Sequence, residues 1–168
     1  MSFTNLGILT TTAIVIVVLA FANFDCEAWK HFGYDSNAAQ APTITATQLR
    51  KLQTSEQDEN RFVVVDVRSK DETDISMIPG AITKAQFERT AEQHRGKKVI
   101  AYCTIGVRSG EYAVSLNESG WNAVNYKGSI IDWCENKFPL TTDAGQNTKR
   151  VHTFSRWYSV TGTYVAVH

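Results

Sequence analysis

The sequence is short of cysteine, has no net charge and lacks metal-binding spacings, and each shortage removes a class of function. Its three cysteines, Cys26, Cys103 and Cys134, do not make a disulfide framework, and an odd count leaves at least one thiol free unless chains cross-link. No Cys-x-x-Cys pair and no His-Glu-x-x-His helix occurs, and the four histidines are scattered. That pattern argues against a structural metal site, and neither a metal nor a cofactor is expected. Lys plus Arg balance Asp plus Glu at 17 each, so no bulk charge calls for nucleic acid or an acidic partner. The one basic cluster, Arg95, Lys97 and Lys98, reads as the flank of a strand, and no nucleic-acid motif is present. Internal repeats are also lacking.

What is present suits one ordinary domain with short appendages: 168 residues, 43% of them hydrophobic and 20% charged. The first segment stands apart. Leu6 to Phe24 is an almost unbroken uncharged run. At about 1.5 Å per residue it reaches roughly 28 Å, close to the hydrocarbon thickness of a bilayer. Two readings stay open. It is a single-span anchor, or it is a cleaved export signal with Ala20-Phe21-Ala22 as the cleavage site. The expected location is accordingly membrane-anchored, or exported and periplasmic if the segment is removed. A polar, small-residue stretch from Asp25 to Pro42 follows, as suits a tether.

Beyond the tether, three short β-branched runs read as strands: Phe62 to Val65, Lys98 to Tyr102, and Asn122 to Tyr126. The first two are nearly continuous, as expected for strands covered on both faces. Helix signals lie between them. Thr45-Ala-Thr-Gln48 is a capping box opening a helix through Leu49 and Leu52. Further helices are predicted over Ala85 to His94, over Ser109 to Ser119 with Gly120 as its stop, and over Ile130 to Lys137. Such alternation predicts an α/β fold with a parallel sheet, whose ligand site lies beyond the strands' carboxyl ends. The tail from Val151 to Val167 alternates weakly. It is expected to form a hairpin turning at Thr161-Gly162, anchored by Trp157 and Tyr158.

Two features sit at the strand ends: Asp66-Val67-Arg68 after the first run and Cys103 immediately after the second. A lone cysteine after a strand is by itself a small buried hydrophobe. Here it opens the loop Cys103-Thr104-Ile105-Gly106-Val107-Arg108, and a helix follows. Gly106 permits the sharp turn, and successive amides can form a nest at the helix N-terminus that favours a thiolate. Arg108 adds a cation and a forked donor for an oxyanion. A thiolate in such a bowl can attack a sulfane sulfur, and the same bowl can hold the persulfide that results.

These residues resemble the rhodanese-like family. Val63-Val-Val-Asp66-Val-Arg68 resembles its strand ending in Asp-x-Arg, and Ile78-Pro-Gly-Ala81 its signature turn. Tyr102 to Ser109 resembles its active loop, and Gly128 to Trp133 followed by Phe138-Pro-Leu140 its closing helix and exit. The resemblance implies a five-stranded parallel sheet flanked by helices, to which the apolar run adds an N-terminal hydrophobic helix. The domain organisation is then an anchor or signal segment over 1–24, a linker over 25–42, a rhodanese-like domain over 43–142 and a C-terminal extension over 143–168. It also implies a sulfurtransferase that moves sulfane sulfur from a donor such as thiosulfate or a persulfide to a thiol or cyanide. Cys103 is the nucleophile, and the backbone of Thr104, Ile105, Gly106, Val107 and Arg108 cradles the persulfide. Arg108 orients an anionic donor.

Asp66, Arg68 and Glu72 are read as structural support, with Arg68 and Glu72 as a helix-face pair and Asp66 bonding loop backbone. Thr104 and Ile105 stand where relatives often carry basic or polar residues, and Met77 where they commonly carry His. The first departure weakens the case for thiosulfate. Two other readings compete: a membrane-tethered binding or regulatory module for sulfur delivery or sensing, and a phosphatase or arsenate reductase. The second needs a longer loop than the four residues between Cys103 and Arg108.

Overall fold

The computed structural model describes residues 40–168, apart from residues 59 and 161. The anchor or signal expected at Leu6 to Phe24, Cys26 and all but the end of the tether lie outside the described residues. Among those described, no helix is long and apolar enough to cross a membrane.

The chain runs β1 (Thr43–Ile44), α1 (Ala46–Thr54), β2 (Phe62–Asp66), α2 (Lys70–Ile75), β3 (Ile82–Thr83), α3 (Lys84–Arg89) and a 3-10 turn (Ala91–His94). It continues through β4 (Lys98–Tyr102), α4 (Val107–Glu118), β5 (Asn122–Tyr126) and α5 (Ser129–Glu135). Four short strands close it: β6 (Leu140–Thr141), β7 (Asn147–Thr148), β8 (Arg150–His152) and β9 (Val165–Val167). The first five strands make one sheet in the order β1-β5-β4-β2-β3, and every pair in it is parallel. This is the five-stranded parallel sheet flanked by helices that the resemblance implied.

The three central strands are the three apolar runs, and they are buried on both faces because alternate residues feed two cores. Val64, Ile100, Tyr102, Val124 and Tyr126 pack on one face with Leu49, Ile130, Trp133 and Leu140. Val63, Val65, Val99, Ala101 and Ala123 pack on the other with Phe87, Ala113 and Leu116. The capping box at Thr45 forms: its Oγ1 accepts from the Gln48 N–H at 3.2 Å, and Gln48 Oε1 accepts from the Thr45 N–H at 2.9 Å. α4 ends where expected, with Gly120 at φ +82.

The tail differs from the expected hairpin. β8 pairs with β9 in parallel, Arg150 opposite Val165 and His152 opposite Val167. Weak alternation marks a strand but not the direction of its partner. A parallel pair needs a long crossover, which residues 153–164 provide. Trp157 is 93% exposed and anchors nothing, while Val151, Thr153 and Tyr164 are buried. The Tyr164 hydroxyl donates to the Phe138 carbonyl and ties the tail to the domain. Thr161, half of the expected turn, lies outside the described residues.

Candidate active site

Cys103 is the first residue past β4, at the carboxyl edge of the sheet's most interior strand, and its side chain is buried. The loop that follows is held by both neighbouring elements. Gly106 caps α4 in the left-handed region at φ +92. Its carbonyl accepts from the Gly110 N–H at 3.1 Å and from Asn125 Nδ2 at 2.9 Å. From α5, Ser129 Oγ accepts the Cys103 N–H at 3.0 Å, and the Ile130 N–H donates to the Cys103 carbonyl at 3.2 Å. The loop is thus clamped from β5 and α5.

Around Sγ the donors converge. The Gly106 N–H lies 3.1 Å away, Ser109 Oγ 3.5 Å and Ser129 Oγ 3.9 Å. Each hydroxyl has one proton. That of Ser129 goes to the Tyr126 carbonyl at 2.9 Å, a far better contact than sulfur at 3.9 Å. That of Ser109 chooses between Asn125 Oδ1 at 2.7 Å and Sγ. Asn125 is oriented by Gly106, so its oxygen faces Ser109. The hydroxyl can turn to sulfur when sulfur becomes an anion, because charged acceptors bind a proton more strongly than neutral ones. Burial pushes the Cys103 thiol up. The Ser109 hydroxyl and the N–H groups of Ser109, Ile105 and Gly106 outweigh it, and the thiol sits below its ordinary value. Cys134 is the control within the same domain. It too is buried, in the apolar core beside Trp133, and burial drives it up to about 12. Two buried cysteines therefore behave oppositely, and the donor-lined one is the reactive candidate.

A second layer surrounds the loop. Glu72, buried on α2, accepts both Arg108 Nη1 and Nη2 at 2.8 Å, Thr104 Oγ1 at 2.9 Å and the Ser69 N–H at 2.9 Å. Burial raises its carboxyl, but these bonds win and hold it at about 2. The expected pair between Arg68 and Glu72 is not formed. Arg68 instead grips Asp66, with Nε at 2.9 Å and Nη2 at 2.7 Å, and reaches the Ser76 carbonyl at 2.6 Å. Spacing along the chain could not reveal that a better partner for Glu72 lies on α4. Asp66 does bond backbone, accepting the Arg68 N–H at 3.0 Å, and it also accepts the Tyr102 hydroxyl at 2.5 Å. Arg108, expected to face an anionic donor, is paired with Glu72 and also attracts the Cys103 sulfur.

Of the remaining expected loop residues, Thr104 is buried in the Glu72 network, while Ile105 and Val107 are exposed. Met77 is buried and bridges to Thr141. Sequence reasoning missed Asn125 and Ser129 as site residues and named Ser109 solely as the first helical residue. Two signals were available: an amide inside an apolar central strand, and a hydroxyl just past the carboxyl end of β5.

The family model for the rhodanese-like domain matches residues 45–136, more than half of the chain. The chain belongs to the rhodanese-like family. Among curated proteins it is similar to the probable adenylyltransferase/sulfurtransferase MoeZ of Mycobacterium tuberculosis, 32% identical over 110 residues. That alignment covers 62% of this chain and 27% of MoeZ. It is also similar to the tRNA uridine(34) hydroxylase of Variovorax paradoxus, 32% identical over 110 residues, covering 58% of this chain and 42% of that protein. The chain thus spans less than half the length of either relative. Its fold resembles the crystal structure of thiosulfate sulfurtransferase from Pseudomonas aeruginosa, with a TM-score of 0.51 at 21% identity over 63% of this chain and 21% of that one. At that identity the likeness is one of fold.

Proposed function

We propose that this rhodanese-like domain is a sulfurtransferase that carries sulfane sulfur on Cys103. One observation carries the reading: a buried cysteine whose sulfur is met by the Gly106 N–H at 3.1 Å and whose thiol is held below its ordinary value. In the first half-reaction the Cys103 thiolate attacks the outer sulfur of a persulfide R–S–SH. The new S–S bond to Cys103 forms as the donor's own S–S bond breaks, and R–S⁻ leaves with the electron pair. In the second, an acceptor thiolate or cyanide attacks the outer sulfur and restores the Cys103 thiolate. The same amides that favour the first anion suit the second, a persulfide one atom longer. The Cys-x4-Arg loop, with its arginine held by Glu72, is poorly suited to enclosing phosphate. The run from Leu6 to Phe24 leads us to place this chemistry at a membrane.

The test is the pH dependence of Cys103 alkylation beside turnover. Because the folded thiol is lowered, reactivity rises with pH through a midpoint below the ordinary thiol value. Ser109→Ala removes a hydroxyl donor to Sγ and is expected to move that midpoint upward. Cys103→Ser is expected to leave transfer at background. Transfer that survives in Cys103→Ser overturns the proposal.

A further inference from the structure

The C-terminal extension has two features that sulfur transfer does not use. Every Asp and Glu of the chain lies at or before Asp143, while Lys149, Arg150 and Arg156 follow it. The extension is therefore wholly basic on an otherwise acidic chain, and all three cations are exposed. It also holds Phe154, Trp157 and Val165, three of the five large apolar side chains exposed among the described residues. The other two, Ile105 and Val107, belong to the Cys103 loop. Phe154 joins the groups: its ring lies over the Arg108 guanidinium, 5.3 Å from the centroid, and brings the extension to the rim of that loop.

Trp157 is held out by a formed turn. The Tyr158 N–H donates to the Ser155 carbonyl at 3.0 Å, which sets Arg156 and Trp157 at the apex, and Ser155 Oγ accepts the Trp157 N–H at 3.3 Å. Behind the apex, Val151 and Thr153 are buried and pin the extension to the domain. An indole 93% exposed forfeits the burial of roughly 150–250 Å² that such a side chain ordinarily gains, and a partner can restore it. A lipid interface matches the combination. Aromatic rings settle at headgroup level, and cations gain from anionic headgroups with no acid nearby to oppose them. The chain itself carries a run of bilayer length, Leu6 to Phe24. A second copy fits worse, because a symmetric contact through this patch sets its cations against themselves.

We propose that Trp157 and Phe154, flanked by Lys149, Arg150 and Arg156, dock this domain on an anionic lipid surface, with the Cys103 loop opening at the interface beside Ile105 and Val107. The inference rests on the membrane placement proposed above and adds which face meets the lipid.

The test reconstitutes the full-length protein in vesicles of phosphatidylcholine, alone or mixed with phosphatidylglycerol, in which part of the lipid carries brominated acyl chains that quench nearby indoles. The difference between wild type and Trp157→Phe isolates the Trp157 emission from that of the other three tryptophans. In the mixed vesicles this emission is expected to be blue-shifted and quenched, and the quenching to fade with added salt. Arg150→Gln and Arg156→Gln change exposed side chains and leave the fold intact. Each is expected to lower the docked-to-undocked ratio roughly fivefold, the worth of one cation near an anionic surface. Trp157 emission untouched by bromine in vesicle-bound protein overturns the docking and leaves the membrane placement standing. Quenching equally strong in phosphatidylcholine alone overturns the docking in the same way. Protein that fails to float with either vesicle overturns both. A blue shift that needs no lipid and grows with protein concentration assigns the patch to a second copy and overturns the proposal.

Discussion

Gly106→Ala is expected to lower sulfur transfer at least about 100-fold and to destabilise the domain by roughly 2–4 kcal/mol. Two costs add. The left-handed backbone at φ +92 disfavours any side chain by about 1–2 kcal/mol. A Cβ placed there would also fall 2.1 Å from the Lys127 carbonyl oxygen, which is backbone and cannot rotate aside. Lys127 joins β5 to α5, so the shift that relieves the clash displaces the elements that clamp the loop. The Gly106 N–H then leaves its place 3.1 Å from Sγ. Gly120→Ala is the matched control. Gly120 also has positive φ, at +82, but open space where a Cβ would stand. It is expected to show a comparable backbone penalty with unchanged transfer. Urea unfolding and steady-state rates on both variants separate strain from clash. Full activity in Gly106→Ala would refute the role assigned to this turn.

Asp66→Asn is expected to cost about 3–5 kcal/mol of folding stability, because it leaves the Arg68 charge buried without compensation. Both side chains of that pair are fully shielded from solvent, at 2.7 Å. The Lys70–Asp74 pair, just downstream, has a still shorter contact of 2.5 Å but lies open to water. Asp74→Asn is expected to show no measurable change, since exposed pairs gain little. Equal losses in the two variants would mean that contact distance, not burial, sets the worth of these pairs.

The contrast also explains what could be read from the chain. β2 and β4 were legible because strands buried on both faces show as nearly continuous apolar runs, and β5 as a short apolar run between turn signals. β1 and β3 have two residues each, too few to carry a pattern, and were expected on resemblance alone. In the site, Cys103 and Gly106 were legible because the loop is contiguous and its backbone makes the nest. The partners of Glu72 were not. Thr104 and Arg108 lie 32 and 36 residues away, and nothing local distinguishes them from Arg68, four residues away on the expected helix face.

The central claim is that Cys103 accepts and carries a sulfur atom. Intact mass after incubating the full-length protein with glutathione persulfide tests it most directly, beside Cys103→Ser treated identically. A gain of one sulfur atom in the wild type, lost on adding an acceptor thiol and absent from Cys103→Ser, is the predicted result. An unchanged mass in the wild type, or an equal gain in both proteins, would contradict it.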